Sequence, residues 1–111
     1  MSLLLLSFGM PIYACSGDAV PFEEFESAPH VKISGPYLAG ALEKKHMIQI
    51  RETGEVLPFG YAYKHWVSFK AKMKVGDKIY FYKSTKDGVF QDGYMLVRKE
   101  CVIDTLPRAV S

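Results

Sequence analysis

The chain has little of what most reaction chemistries need. Its three histidines, His30, His46 and His65, lie far apart, and none falls in the paired spacing that makes a zinc site recognisable. No Gly-rich phosphate loop, HExxH or GxSxG pattern occurs, which removes the common sequence signatures of nucleotide hydrolysis, zinc proteolysis and serine hydrolysis. The two cysteines, Cys15 and Cys101, do not complete a metal site. Cys101 with His46 or His65 and Asp104 would supply the residue types of a nucleophile, base and orienting acid, but such types occur in almost any domain of this size. The simpler reading is a core thiol, surface histidines, and an Asp104 that begins the turn out of the last strand. No catalytic residue, metal or cofactor is therefore expected. No apolar run approaches the roughly 20 residues of a membrane span, and no repeat, low-complexity tract or linker is visible.

What is present is one domain's worth of core-forming residues. At 111 residues, 49% of them hydrophobic, the chain supports a single modest core with no room for two. The formal net charge of +2 implies no partner by itself. Its distribution says more, because Asp18, Glu23, Glu24 and Glu26 make the start acidic, whereas Lys64, Lys70, Lys72, Lys74, Lys78, Lys83 and Lys86 face only Asp77 before Asp87.

Residues 3–13 are mostly apolar, with four consecutive leucines that have no amphipathic period. That length suits the h-region of a secretory signal cleaved after Ala14. The reading divides the chain into a signal segment, residues 1–14, and a mature domain, residues 15–111. The competing reading makes the leucines a buried N-terminal strand or helix. Ile12-Tyr13-Ala14-Cys15 also resembles the lipobox of bacterial lipoproteins, which implies a lipid on Cys15. In a soluble exported form, Cys15 and Cys101 could instead pair as a disulfide. The expected location is the periplasm or the envelope surface, with a cytoplasmic chain as the alternative.

Short elements follow. Residues 30–34 alternate like a strand ended by Gly35-Pro36, and residues 37–46 place Tyr37, Leu38, Ala41 and Leu42 at helical spacing. Residues 47–52 alternate again, and residues 57–65 read as an irregular loop. In residues 67–75, Val67, Phe69, Ala71, Met73 and Val75 alternate with Ser68, Lys70, Lys72 and Lys74, which predicts a half-buried strand. A helix through Tyr63, Trp66, Phe69 and Met73 competes with it, at the cost of placing Lys70 on the buried face. Gly76-Asp77 turns into a strand over residues 79–82. Lys86-Asp87-Gly88 and Asp92-Gly93 read as turns, residues 93–99 and 101–106 as strands, and Pro107 as the end of the ordered chain. The sum is a mainly β, α+β domain: a small bent antiparallel sheet or partly open barrel of five or six strands with one short helix. Its predicted core is Val67, Phe69, Met73, Ile79, Phe81, Met95 and Val97.

On such a strand Lys70, Lys72 and Lys74 share one face, and Lys78 with Tyr80 and Tyr82 lies nearby. This is the candidate binding surface, set against the plainer use of lysines as guards of an edge strand. The segment MKVGDKIYFYKS, residues 73–84, resembles the strand-turn-strand segment of EVE and related PUA-like domains, which implies nucleic-acid binding. The leading expectation is an exported protein that binds a macromolecule in the cell envelope, in the manner of an inhibitor or immunity protein. A PUA-like nucleic-acid module is the alternative.

Overall fold

The run Tyr94-Met95-Leu96-Val97 has no polar residue to turn toward water, so a strand made from it needs cover on both faces. The computed structural model, which describes residues 15–110, provides that cover. Strand β6 (Val89–Arg98) lies in the middle of a curled, five-stranded antiparallel sheet with the order β1-β7-β6-β5-β2. Its neighbours are β5 (Lys78–Lys86) and β7 (Cys101–Val110), with β2 (Val31–Tyr37) and the two-residue β1 (Val20–Pro21) at the edges. The two central hairpins turn in two residues each. Asp87 and Gly88 have φ of 53° and 78°, and Lys99 and Glu100 have φ of 49° and 67°, the positive pairs that match strand twist in tight hairpins. Register shifts at Asp92/Gly93 and Leu96/Val97 on β6, and at Ser34/Tyr37 on β2, mark bulges that bend the strands.

Each face of the sheet carries its own apolar cluster. Ile79, Tyr94, Leu96 and Leu106 point to one side, where Leu42, Phe59, Trp66 and Phe69 cover them. These four come from helix α2 (Ala39–Lys45), helix α3 (Tyr63–Ala71) and Phe59, the residue that leads into a 3-10 turn over Gly60–Ala62. Strands β3 (Met47–Gln49) and β4 (Val56–Pro58) pair as a separate two-stranded sheet. On the other side Met95, Val97 and Val102 meet Phe22 of helix α1 (Phe22–Glu26).

The mainly β class is what the structure shows, and residues 67–75 are the main correction. Residues 63–71 form helix α3, and the chain leaves it through a turn before β5. Trp66 decides the matter, because a period of two would put it among the lysines. A helix puts Trp66 and Phe69 three apart on one face, where both are fully buried. Lys70 solves its own problem by reaching outward to the Glu43 carboxylate at 2.8 Å. Val67 leaves the predicted core and is 45% exposed. Phe69, Ile79, Met95 and Val97 are buried, while Met73 and Phe81 pack partly buried against the larger cluster.

Three smaller corrections share one cause, which is pairing along β6 and β7. Asp92-Gly93 is strand rather than turn, since an added Cβ at Gly93 would meet the Leu106 carbonyl oxygen, the Pro107 Cα and the Tyr82 hydroxyl, the last at 3.0 Å. Asp104 sits within β7 opposite Leu96. Pro107 does not end the order, because β7 runs on through Val110. Residues 57–65, read as a loop, hold the end of β4, the 3-10 turn and the start of α3.

Cys15 and Cys101 are joined as a disulfide with a Cα–Cα distance of 5.8 Å. The bond ties the chain ahead of β1 to the first residue of β7. The Phe22 N–H reinforces the same corner by donating to the Glu100 carbonyl at 2.8 Å. The expectation for residues 1–14 lies outside the described residues.

Candidate functional site

The six residues of the predicted basic and aromatic face do not share a face. Lys70 on α3 is paired with Glu43, and Lys72, just past the helix, is paired with Asp104 at 3.1 Å. Helical and turn geometry spread Lys70, Lys72 and Lys74 around the chain where a strand would have aligned them. Lys78 opens β5 and is exposed. Tyr80 turns to the α1 side, its ring 4.6 Å from that of Phe22, and Tyr82 lies on the same face. Lys78, Tyr80 and Lys99 do meet at a small cleft beside Phe22 and Val97.

Asp77 anchors the turn that the lysines surround. Its side chain is 1% exposed, and it accepts from the Arg98 Nε and Nη2 at 2.9 and 2.8 Å and from the Lys74 N–H at 2.9 Å. The Arg98 hydrogen bonds, followed by the Lys74 N–H and nearby positive charge, hold the Asp77 carboxyl below its ordinary range against the opposing effect of burial. A carboxyl depressed in the folded state stabilises the fold above its unfolded pKa, near 4, and that contribution is lost as pH falls through the folded value. Acid titration of stability should therefore show a loss beginning below about pH 4 that Asp77→Asn lacks. Identical acid limbs for the two proteins would show that the pair is energetically silent.

Two other regions lie outside the predicted face. In the first, the His46 Nε2 and the Tyr94 hydroxyl lie 2.7 Å apart, with the Phe59 ring stacked on the imidazole at 4.7 Å. Arg108 lies nearby, held to the buried Asp92 by Nε and Nη2 at 3.2 and 3.0 Å, with its guanidinium 5.4 Å from the Phe81 ring centroid. Burial first, then the charges of Arg108 and Lys45, push the His46 pKa down. Burial pushes the Tyr94 hydroxyl up. Phe59 holds a left-handed φ of 62°, a conformation a bulky residue adopts only when its surroundings over-determine it. The group aligns rings and closes one end of the larger cluster. Chemistry would need a nucleophile or further ligands beside it. The Cys101 sulfur is committed to the disulfide, and among the described residues no three His, Cys, Asp or Glu side chains gather as a metal site would require. His30 and His65 lie elsewhere, on the α1 side and exposed on α3.

The second region is an open groove over the buried Trp66, walled by Pro58, Tyr63, Val67 and Ala71. Trp66 forms its base because its indole N–H donates to Glu43 at 2.8 Å. The same carboxylate accepts from Lys70, and these two hydrogen bonds, Lys70 first, lower the Glu43 pKa. Period-two alternation places Met47 and Val56 on the side of the small sheet that carries Pro58, since Met47 pairs with Pro58 and Gln49 with Val56. Met47, Val56 and Val67 are 45%, 53% and 45% exposed, so an apolar shoulder borders the groove.

The signal for this region was the helical spacing of Tyr63, Trp66, Phe69 and Met73. The ion pairs of Asp92 with Arg108 and of Asp77 with Arg98, and the contact of His46 with Tyr94, join distant stretches and leave no local pattern. No protein-family model, curated protein or solved structure matches this chain. Among the described residues, no helix is long and apolar enough to cross a membrane.

Proposed function

We propose that this chain is a small exported protein that catalyses nothing and binds a protein partner in the cell envelope, as an inhibitor or immunity protein does. The observation that carries the reading is the groove over Trp66 with its apolar shoulder of Met47, Val56 and Val67. Contiguous exposed apolar surface of this kind is characteristic of protein contact sites. Aromatic side chains against a rigid, buried base supply contact area with little left to order on binding. Export is supported by the Cys15–Cys101 disulfide, a bond that persists in oxidising compartments, and by the secretory character of residues 3–14. Cleavage after Ala14 would leave Cys15 at the new terminus, free to pair with Cys101.

One experiment addresses both halves. A photo-crosslinking residue replaces Val67 in the native host, the tagged protein is recovered, and its terminus is read by mass spectrometry. The mature chain should begin at Cys15 and carry one discrete protein adduct, whereas the same probe at the exposed Lys86 should not. An intact Met1 or Ser2 on a cytosolic pool would sink export, and an adduct pattern no different from that of Lys86 would sink the groove.

A second reading, a PUA-like nucleic-acid module, is favoured by Lys78 and Lys99, which flank the Tyr80 cleft without ion-pair partners among the described residues. Nucleic acid recovered on a probe placed at Lys78, from a chain retaining residues 3–14, would move that reading ahead.

A further inference from the structure

The α1 side of the sheet holds a concavity that neither reading uses. It has a volume of about 300 Å³, at the lower end of the range for small-molecule sites. Strand alternation builds it. Tyr82 and Ser84 of β5, Gln91 and Met95 of β6, and Thr105 of β7 all point to this face, with Ser84 paired to Gln91 and Met95 to Thr105. Gly93 leaves a gap in the lattice of side chains, and the Tyr82 hydroxyl reaches over its bare Cα. Phe25 and Ala28 close one side from α1 and the turn after it, and Val31 closes another from β2.

Two properties restrict what can bind there. The floor is apolar, since Met95 is fully buried and Phe25, Ala28 and Val31 adjoin it. Above that floor, Tyr82, Ser84, Gln91 and Thr105 make no side-chain hydrogen bond to any described residue. They are nonetheless not sealed from solvent. Three hydroxyls and an amide, each able both to donate and to accept, are thus turned toward the opening with nothing to hold. Neither lysine nor arginine lines the concavity, whose lining also includes Glu24 and His30. A phosphate or sulfate would find no lysine or arginine there, and a purely apolar ligand would strip water from four polar groups without replacing it. Burial pushes the Tyr82 pKa up, so its hydroxyl keeps its proton and remains a donor at neutral pH.

We propose that the concavity between α1 and the sheet, with Tyr82, Ser84, Gln91 and Thr105 above Met95 and Phe25, binds an uncharged saccharide unit. A pyranose ring has the matching anatomy, with C–H bonds on one face for the partly exposed Phe25, Ala28 and Val31 beside the buried Met95 and hydroxyls around its edge for the four polar side chains. The site is independent of the Trp66 groove, so either can fail without the other.

The test uses the disulfide-intact protein labelled at its methionine methyls and titrated with glucose, galactose and N-acetylglucosamine. The Met95 methyl should shift and saturate in the millimolar range with at least one sugar, while the Met47 methyl on the far side stays still. Combining Tyr82→Phe with Thr105→Val removes two hydroxyls at nearly constant shape and should weaken binding about tenfold or more. Gln91→Ala, at an exposed position, should weaken it in the same direction and stands in if the double variant fails to fold. No saturating Met95 shift with any sugar would overturn the proposal. So would a shift that Gln91→Ala leaves unchanged, or saturation by cyclohexanol but by none of the sugars.

Discussion

Replacing Trp66 with alanine should lower the unfolding free energy by about 3 to 5 kcal/mol, the range for truncating a large buried aromatic. The ring is fully buried and lies 4.7 Å from Phe59 and 5.8 Å from Phe69. Neither neighbour can collapse into the space, because Phe59 is fixed in its left-handed turn and Phe69 lies three residues along the same helix face. Small domains have only about 5 to 15 kcal/mol of stability in total, so the variant should be close to unfolded at physiological temperature. Urea unfolding followed by circular dichroism reads the change. A midpoint within error of the parent would mean that Trp66 is not the centre of the larger cluster. Phe81→Ala should cost less, since Phe81 is only partly buried.

The second large effect belongs to the disulfide. Cys15 and Cys101 are 86 positions apart, and closing a loop of that size restricts the unfolded chain by about 4 to 5 kcal/mol in the chain-entropy model. Cys101→Ser should therefore lower the urea midpoint substantially under oxidising conditions and hardly at all once the parent is reduced. The parent's thiols should resist alkylation until reductant is added. Equal midpoints for variant and parent without reductant would mean either that the cross-link does not form in the isolated protein or that it constrains a chain end which never separates from β7. The alkylation result separates these two cases.

Much of the fold was legible because most elements announce themselves locally. Lys86-Asp87-Gly88 marked a turn, Ile79 to Tyr82 marked a strand, and the spacing of Tyr37, Leu38, Ala41 and Leu42 marked a helix close to the observed Ala39–Lys45. The error at residues 67–75 came from a sequence that satisfies two periods at once. Val67, Phe69, Ala71 and Met73 alternate, but Trp66 and Phe69 also share a helix face, and only the larger ring shows which period the core uses. The alignment of Lys70, Lys72 and Lys74 on one face was then lost, because it had been inferred from that strand. Lys70 and Lys72 found partners in Glu43 and Asp104, 27 and 32 positions away, which no local pattern indicates. The cysteines were the reverse case, a distant contact that could be anticipated because a chain with only two of them has one way to pair.

Strand β6 raises a problem of alignment that half-buried strands avoid. Where one face is wet, sliding a strand by one residue drives its apolar set into water, and polarity alone forbids the error. Tyr94, Met95, Leu96 and Val97 are apolar on both faces, so hydrophobicity cannot tell the correct pairing from its neighbour. Shape and charge must make the distinction. A slide of one position would bring a side chain to the place beneath the Tyr82 hydroxyl that only Gly93 can occupy. It would also carry Asp92 away from Arg108 and leave a carboxylate without its partner. The one residue in this strand with no side chain, and the one with a buried charge, stand next to each other and act as a two-pin key for the whole sheet.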